Sequence, residues 1–230
     1  KRIDCDYPSK DLSGVAVVFK LLEVIYQKLG KNLATLYSNL DLVAIGLLQD
    51  LVPQINVERN TMEVRNLTKL GILIMNQAPK KWTNVVKNHR FAHDETILSD
   101  HISFIYGPML NAPGRMYIPL ESFEFLTSQT EEIAKNKYLA LNKHNENRKE
   151  LSRRIADNMI SKLKEEDATS TDYAIVVASE ECHIGITGLV ADKISKEFFR
   201  PTIAFGISED DKGNRILRGS ARSISNIKVL

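Results

Sequence analysis

Between Ser128 and Glu166 the chain contains neither proline nor glycine. The run opens on acids and ends in a strongly charged turn. Its apolar residues Ile133, Tyr138, Leu141, Leu151, Ile155, Met159 and Leu163 keep roughly helical spacing. The pattern predicts one long helix, polar on most of its circumference. Such a helix joins two domains or lies across both. The organisation read from it is a first part over 1–127, a connecting helix over 128–166 and a second domain over 167–230, with the polar stretch 167–172 as the boundary.

On both sides the pattern is different. Residues 12–29 carry apolar side chains at helical spacing, and Gly30 is placed to stop that helix. The segment 41–51 is apolar almost all round, the mark of a buried helix, with Pro53 as its breaker. A further amphipathic helix is expected over 62–76, and Ser99 is a plausible N-cap for another. The stretch 111–116 (NAPGRM), with Pro113 beside Gly114, reads as a turn. After 172 the period shortens. A strand at 173–178, a helix at 185–199 and a strand at 201–207 make a βαβ unit, and 215–230 is β-prone. The fold class is therefore α/β: a mostly helical first part, the long connecting helix, and a small α/β domain at the C-terminal end.

Composition removes several alternatives. Hydrophobic residues at 43% are enough to fill a core. The formal net charge is only +2, so bulk charge argues for no polyanionic partner, and any nucleic-acid site has to be a local patch. Cys5 and Cys182 lie outside any C-x-x-C spacing, which suits a reducing cytoplasm. No apolar run approaches the roughly 18 residues that would span a bilayer, and no signal peptide is visible. Both termini read as cuts, since the chain opens on Lys1 with no strand and stops inside a β-like pattern.

Four segments carry a specific resemblance. They are YPSKDLSGVAVVFKL (Tyr7 to Leu21), LDLVAIGLLQDLVP (Leu40 to Pro53), GPMLNAPGRM (Gly107 to Met116), and a fourth group from His183 to Ile224. That last group contains HIGITGLVADKI, RPTIAF and GSARSI. In this order and at this spacing they resemble the RecJ-type single-stranded-DNA exonucleases of the DHH phosphoesterase superfamily. The first part is then the later portion of a DHH catalytic domain, and the last is its associated nucleic-acid-binding domain. That family's D-x-D string, its next aspartate and its D-H-H triplet precede the equivalent of Tyr7, and none occurs here. Asp4 and Asp6 form a D-x-D string, but no apolar strand precedes it, so it reads as a solvated loop.

The resemblance implies metal-dependent hydrolysis of single-stranded DNA, 5′ to 3′, in repair and recombination. Two Mn²⁺ or Mg²⁺ ions, held about 4 Å apart by carboxylates and imidazoles, would activate a water for in-line attack. Asp50 is the one family ligand retained, and read without the family it simply ends a helix. One carboxylate cannot hold two ions, so the isolated chain is expected to hydrolyse little or nothing. The substrate side is better represented. In GSARS, Gly219 would let the backbone approach a phosphate, Ser220 and Ser223 offer hydroxyls, and Arg222 can grip a phosphate with two bonds. Arg115 is a second phosphate candidate, or a structural arginine held by carbonyls. His183 precedes Gly185 and Gly188 at a helix start, where backbone N–H groups favour an anion. In the family the metals and the phosphate-binding residues line opposite walls of one cleft, which would set Asp50 facing Arg222.

Other features read as structural. His89 and His93, with Asp94, have zinc-like spacing but lack a third ligand. Arg148, Lys149, Arg153 and Arg154 have Glu146 and Glu150 as neighbours and read as a solvated helix face. Trp82 and Phe91 read as core. Single-stranded DNA is the implied partner, with single-strand-binding or other repair proteins as further candidates. Two alternatives remain open. A phosphodiesterase acting on oligonucleotides or cyclic dinucleotides would carry a G-G-G-H signature where this chain has ECHIGITG, and a non-catalytic relative would bind DNA or replication proteins. Two departures from the family pattern stand out: Leu48-Gln49 before Asp50, and Met109 in place of an arginine.

Overall fold

The computed structural model describes residues 6–57, 61–92, 95–165, 173–210 and 212–224. Asp4, Cys5, His93, Asp94, the stretch 167–172 and the tail beyond 224 lie outside them. The chain forms two compact units, one of Lys1–Leu110 with Glu124–Leu139 and the other of Asn111–Phe123 with Ala140–Leu230.

The described part of the first unit is helical. Its elements are α1 (Gly14–Lys28), α2 (Leu33–Tyr37), α3 (Leu40–Gln49), α4 (Glu63–Gln77), α5 (Lys81–Arg90) and the single turn α6 (Ser99–His101). A π-helical turn over Ile102–Tyr106 then leads into α7 (Gly107–Met116), which is followed by α8 (Leu120–Leu126). Leu12, Ala16, Phe19, Leu40, Val43, Leu47 and Leu67 form one buried cluster. Helices α3 and α4 cross closely at Gly71, where a Cβ would fall 2.2 Å from the Leu40 carbonyl oxygen. Helix α1 ends as its sequence suggests. Gly30 takes φ +62, its N–H donates to the Gln27 carbonyl, and Lys31 N donates to the Tyr26 carbonyl at 2.8 Å, a Schellman closure.

One local expectation is overturned. The NAPGRM stretch is helical and lies in α7, with Pro113 inside it. Proline removes one N–H and strains the turn before it, yet Ile102, Tyr106, Met109 and Ala112 are all buried at spacings of one helical turn. Burial along that face outweighs the local breaker signal, because propensity is a weak prior against packing.

The long helix is present as α9 (Glu131–Glu165), 35 residues without interruption. Tyr138 and Leu141 are buried, whereas Ile133 is exposed. In the second unit Ile155, Ala156, Met159 and Ile160 of α9 pack with β1 (Ile175–Ser179), α10 (Thr187–Phe198) and β2 (Thr202–Glu209). A short 3₁₀ turn, Ile184–Ile186, precedes α10. Strand β1 pairs parallel with β2, and β2 pairs antiparallel with β3 (Arg215–Arg222), in the order β1-β2-β3. The βαβ reading is thus the observed topology. No helix among the described residues is long and apolar enough to cross a membrane.

Candidate functional site

The start of α10 is where the second unit gathers its polar groups. Gly219 to Arg222 lie within β3, with Ala204 opposite Ser220 and Thr202 opposite Arg222. This register lays Ser220 and Arg222 over the first turn of α10. A Cβ at Gly188 would fall 2.6 Å from Arg222 Nη2 and 3.5 Å from Ser220 Oγ. Thr187 Oγ1 is 3.3 Å from Ser220 Oγ and donates to the Ile184 carbonyl at 2.9 Å. A guanidinium and a hydroxyl therefore converge on the N-terminus of a 12-residue helix, where unpaired N–H groups and the helix dipole favour an anion. Glycine at 188 keeps that position open.

His183 is exposed and opens the 3₁₀ turn, its Nδ1 accepting from Gly185 N at 3.1 Å. In the neutral ring that bond leaves the proton on Nε2 as a donor. Gly219 is bare for the sake of the sheet, since a Cβ there would lie 2.3 Å from the Ala204 carbonyl oxygen and 2.6 Å from the Phe205 ring. Ser223 follows directly after β3. Cys182 is buried in the apolar cluster, and burial pushes its thiol pKa up.

Arg115 ends α7 and donates from Nη1 to the Gly185 carbonyl at 3.1 Å. Its own backbone presses on that glycine, where a Cβ would come within 1.8 Å of the Arg115 carbonyl oxygen. Arg115 Nε is buried without a partner among the described residues. Arg148 overturns the solvated-face reading: it is only 9% exposed, and its Nε is likewise unpartnered. Burial, and next the neighbouring Arg115 guanidinium, hold the Arg148 pKa below its ordinary value. Lys149 and Arg154 do face solvent, paired with Glu146 at 3.0 Å and Glu181 at 3.4 Å.

In the first unit Asp50 is the C-cap of α3 and is exposed. A carboxylate at a helix C-terminus adds to the negative end of the dipole, a small repulsion that solvent screens and a cation would relieve. Leu51 follows with φ +51, a strained conformation for a side-chain-bearing residue. Among the described residues no three histidine, cysteine or acidic side chains gather as a metal site. The described residues by themselves do not fit a two-ion centre.

Sequence reasoning missed two features of this unit. Asp41 is buried at 1% exposure, accepting from Lys80 Nζ at 2.9 Å. Gln49 donates from Nε2 to the Ile102 and Ser103 carbonyls, each at 3.2 Å, supplying a donor to the π-turn. A polar residue inside the apolar run 42–49 is the signal that was available for Gln49. His89 bonds through Nδ1 to its own helix at the Val85 carbonyl and stacks on Tyr138. Trp82 is core, edge-on to Tyr106 and Phe125.

A helical unit joined through one long helix to a three-stranded unit, with an arginine and a serine over a helix N-terminus, defines an α/β protein. No family model matches the chain. Solved structures of RecJ from Thermus thermophilus, in complex with Mn²⁺ or Mg²⁺, superpose with TM-scores of 0.76 and 0.75 at 21% and 20% identity. They match 98% of this chain and 30% and 32% of theirs. In sequence it is 31% identical over 245 residues to the single-stranded-DNA-specific exonuclease RecJ of Haemophilus influenzae, and 32% identical over 231 residues to that of Bacillus subtilis. Those alignments take in 98% and 100% of this chain but 39% and 27% of the relatives, so it spans well under half of their length. The chain is a relative of the RecJ-type proteins along its whole length.

Proposed function

We propose that this chain supplies the strand-holding part, and one metal ligand, of a single-stranded-DNA exonuclease of the RecJ type. The observation that carries the reading is the placement of Arg222 and Ser220 over the Gly188 end of α10. Such a cradle suits a phosphodiester: the guanidinium, whose Nη1 is held by the Ala221 carbonyl at 2.8 Å, gives donors and charge, the hydroxyl a further donor, and the helix start its N–H groups. Contacts of this kind fix the backbone without reading bases, as a nuclease working through arbitrary sequence needs. His183 Nε2 is a further donor beside the same turn, and Arg115 a second grip.

On the catalytic side Asp50 acts as a ligand for Mn²⁺ or Mg²⁺, the ions named in the Thermus thermophilus complexes. Bound there, the ion would polarise a phosphoryl oxygen and acidify a water. The remaining ligands are not among the described residues, so hydrolysis by these residues alone is not expected. In the complete gene product the reaction would run 5′ to 3′ on single strands in the cytoplasm, within repair and recombination, alongside single-strand-binding and other repair proteins.

The test is a binding series on this chain with a short labelled oligo-dT. Arg222→Ala should weaken binding and make the dependence of log K on log[salt] shallower by about 0.7. Unchanged affinity across the salt series would remove the phosphate role. In the complete gene product Asp50→Ala should abolish Mn²⁺-dependent cleavage while binding persists; retained turnover would take Asp50 out of the site. Cleavage products from strands labelled at either end decide polarity.

A further inference from the structure

Two arginines of the second unit carry a cost that the strand-holding cradle does not explain. Arg148 is 9% exposed on α9, and no ion pair or hydrogen bond holds its Nε. Arg115, on the segment that touches Gly185, also has a buried Nε without a partner among the described residues. Burying the Arg148 guanidinium is unfavourable, and the nearby Arg115 charge adds a repulsion that Glu146 offsets only in part. Glu146, the acid on the same turn as Arg148, is engaged by Lys149 at 3.0 Å. Asn145 is 3% exposed and its Oδ1 has no partner either. Asn145 Oδ1 is an acceptor that asks for a donor, so only the guanidinium N–H groups bear on what binds here. The two buried arginine N–H groups are donors that lack an acceptor among the described residues.

The chemistry of that arrival follows from the donors. Two guanidiniums offer only N–H and positive charge, so their complement is an anion with several acceptor oxygens. Arg115 Nη1 is tied to the Gly185 carbonyl, which fixes its fork beside the segment leading into α10. The Arg222–Ser220 cradle sits at Gly188, three residues further on. The two grips therefore flank one short stretch of backbone.

We propose that Arg115 and Arg148 form a second phosphate-binding site, taking a phosphodiester of the same strand that Arg222 holds, with Arg148 as its buried, previously unassigned member. This deepens the strand-holding reading and rests on it. The pair acts as a unit: Arg115, half-exposed, meets the phosphate at the surface, and Arg148 adds further donors and charge from within. A strand gripped at two phosphates is held along a line as well as at a point, which a single grip does not achieve.

The experiment uses this chain with oligo-dT in a salt series, together with thermal unfolding without DNA. Arg148→Met should unfold at a higher temperature, because a buried charge that Glu146 only partly offsets is gone. The same variant should bind oligo-dT about tenfold more weakly, with a salt slope shallower by about 0.7. Arg148→Lys, which keeps the charge and loses the fork, should keep the slope and lose affinity several-fold. Unchanged affinity and slope in Arg148→Met, while Arg222→Ala still weakens binding, would overturn this inference and leave the strand-holding reading standing. If neither variant changes binding, both fall. Should Arg148→Met not fold, Arg148→Lys carries the test, and wild-type affinity there overturns the inference.

Discussion

The carboxamide of Gln49 fills the space that a side chain on Gly107 would need: a Cβ at 107 would stand 1.8 Å from Gln49 Cδ. The two residues are a matched pair. Gly107 is bare so that Gln49 can reach the Ile102 and Ser103 carbonyls of the π-turn. Gly107→Ala should push the carboxamide away, lose those bonds and destabilise the first unit by about 1–2 kcal/mol, after the small gain in helix propensity. In a double-mutant cycle with Gln49→Ala the two costs should add to less than their sum, because the clash is already absent. Urea unfolding measures this, and strict additivity would show that the residues do not interact.

Helices α1 and α3 end in the same Schellman closure, but α1 has Gly30 in the left-handed position and α3 has Leu51. Leu51 N donates to the Leu48 carbonyl and Val52 N to the Leu47 carbonyl at 3.0 Å. The Leu51 side chain is 85% exposed, so little packing is lost on its removal. Leu51→Gly should therefore stabilise the chain by about 1 kcal/mol, the steric cost of the left-handed conformation. A lowered urea midpoint would mean that the leucine makes a contact worth more than its strain. The strained residue is adjacent to Asp50, and strain of this kind gathers at functional positions.

The Tyr7 hydroxyl donates to Glu63 at 2.7 Å, with Lys20 3.3 Å from the same carboxylate. Burial, then the bond to Glu63 and its charge, push the Tyr7 pKa up to about 12. Burial alone would raise Glu63, but bonds from Ser9 and Tyr7 and the Lys20 charge outweigh it, and its pKa is lowered. The signs follow. A raised tyrosine contributes fully below its unfolded value near 10 and loses that contribution as pH rises toward 12. A depressed carboxylate contributes above its unfolded value and loses that as pH falls through the lowered one. Tyr7→Phe should thus cost most between about pH 5 and pH 10, and the difference from wild type should shrink on both sides. A difference that stays flat across a pH series of urea midpoints would rule out this coupling.

What the sequence disclosed followed from period and from residue chemistry. The uninterrupted charged run became α9, and the switch to short apolar runs became β1, α10 and β2, because backbone hydrogen bonding and burial both obey those periods. What stayed hidden depended on tertiary partners. NAPGRM reads as a turn because Pro113 and Gly114 are breakers, and only the burial of Met109 before it and of its own Ala112 makes it helical. Arg148 reads as solvated because it stands among charges, and only the fold shows it turned inward. Asp41 reads as the start of a helix, and its partner Lys80 is 39 residues away. For the candidate site, the motif strings singled out Arg222, Ser220 and His183, but the sheet register that lays the first two over Gly188 was not legible.

That register leads to a prediction that separates binding from folding. A Cβ on Gly188 would meet the tip of Arg222, with Nη2 at 2.6 Å and Cζ at 3.3 Å. Such a group moves aside at little cost, unlike backbone. Alanine is also the better helix former, by about 1 kcal/mol. Gly188→Ala should therefore leave the thermal midpoint unchanged or higher, yet weaken oligo-dT binding as Arg222→Ala does, by displacing the guanidinium and closing off the helix start. Combining the two substitutions should add little to either, since each removes the same grip. Full affinity in Gly188→Ala would mean that the strand does not enter this cradle, whatever Arg222 contributes elsewhere.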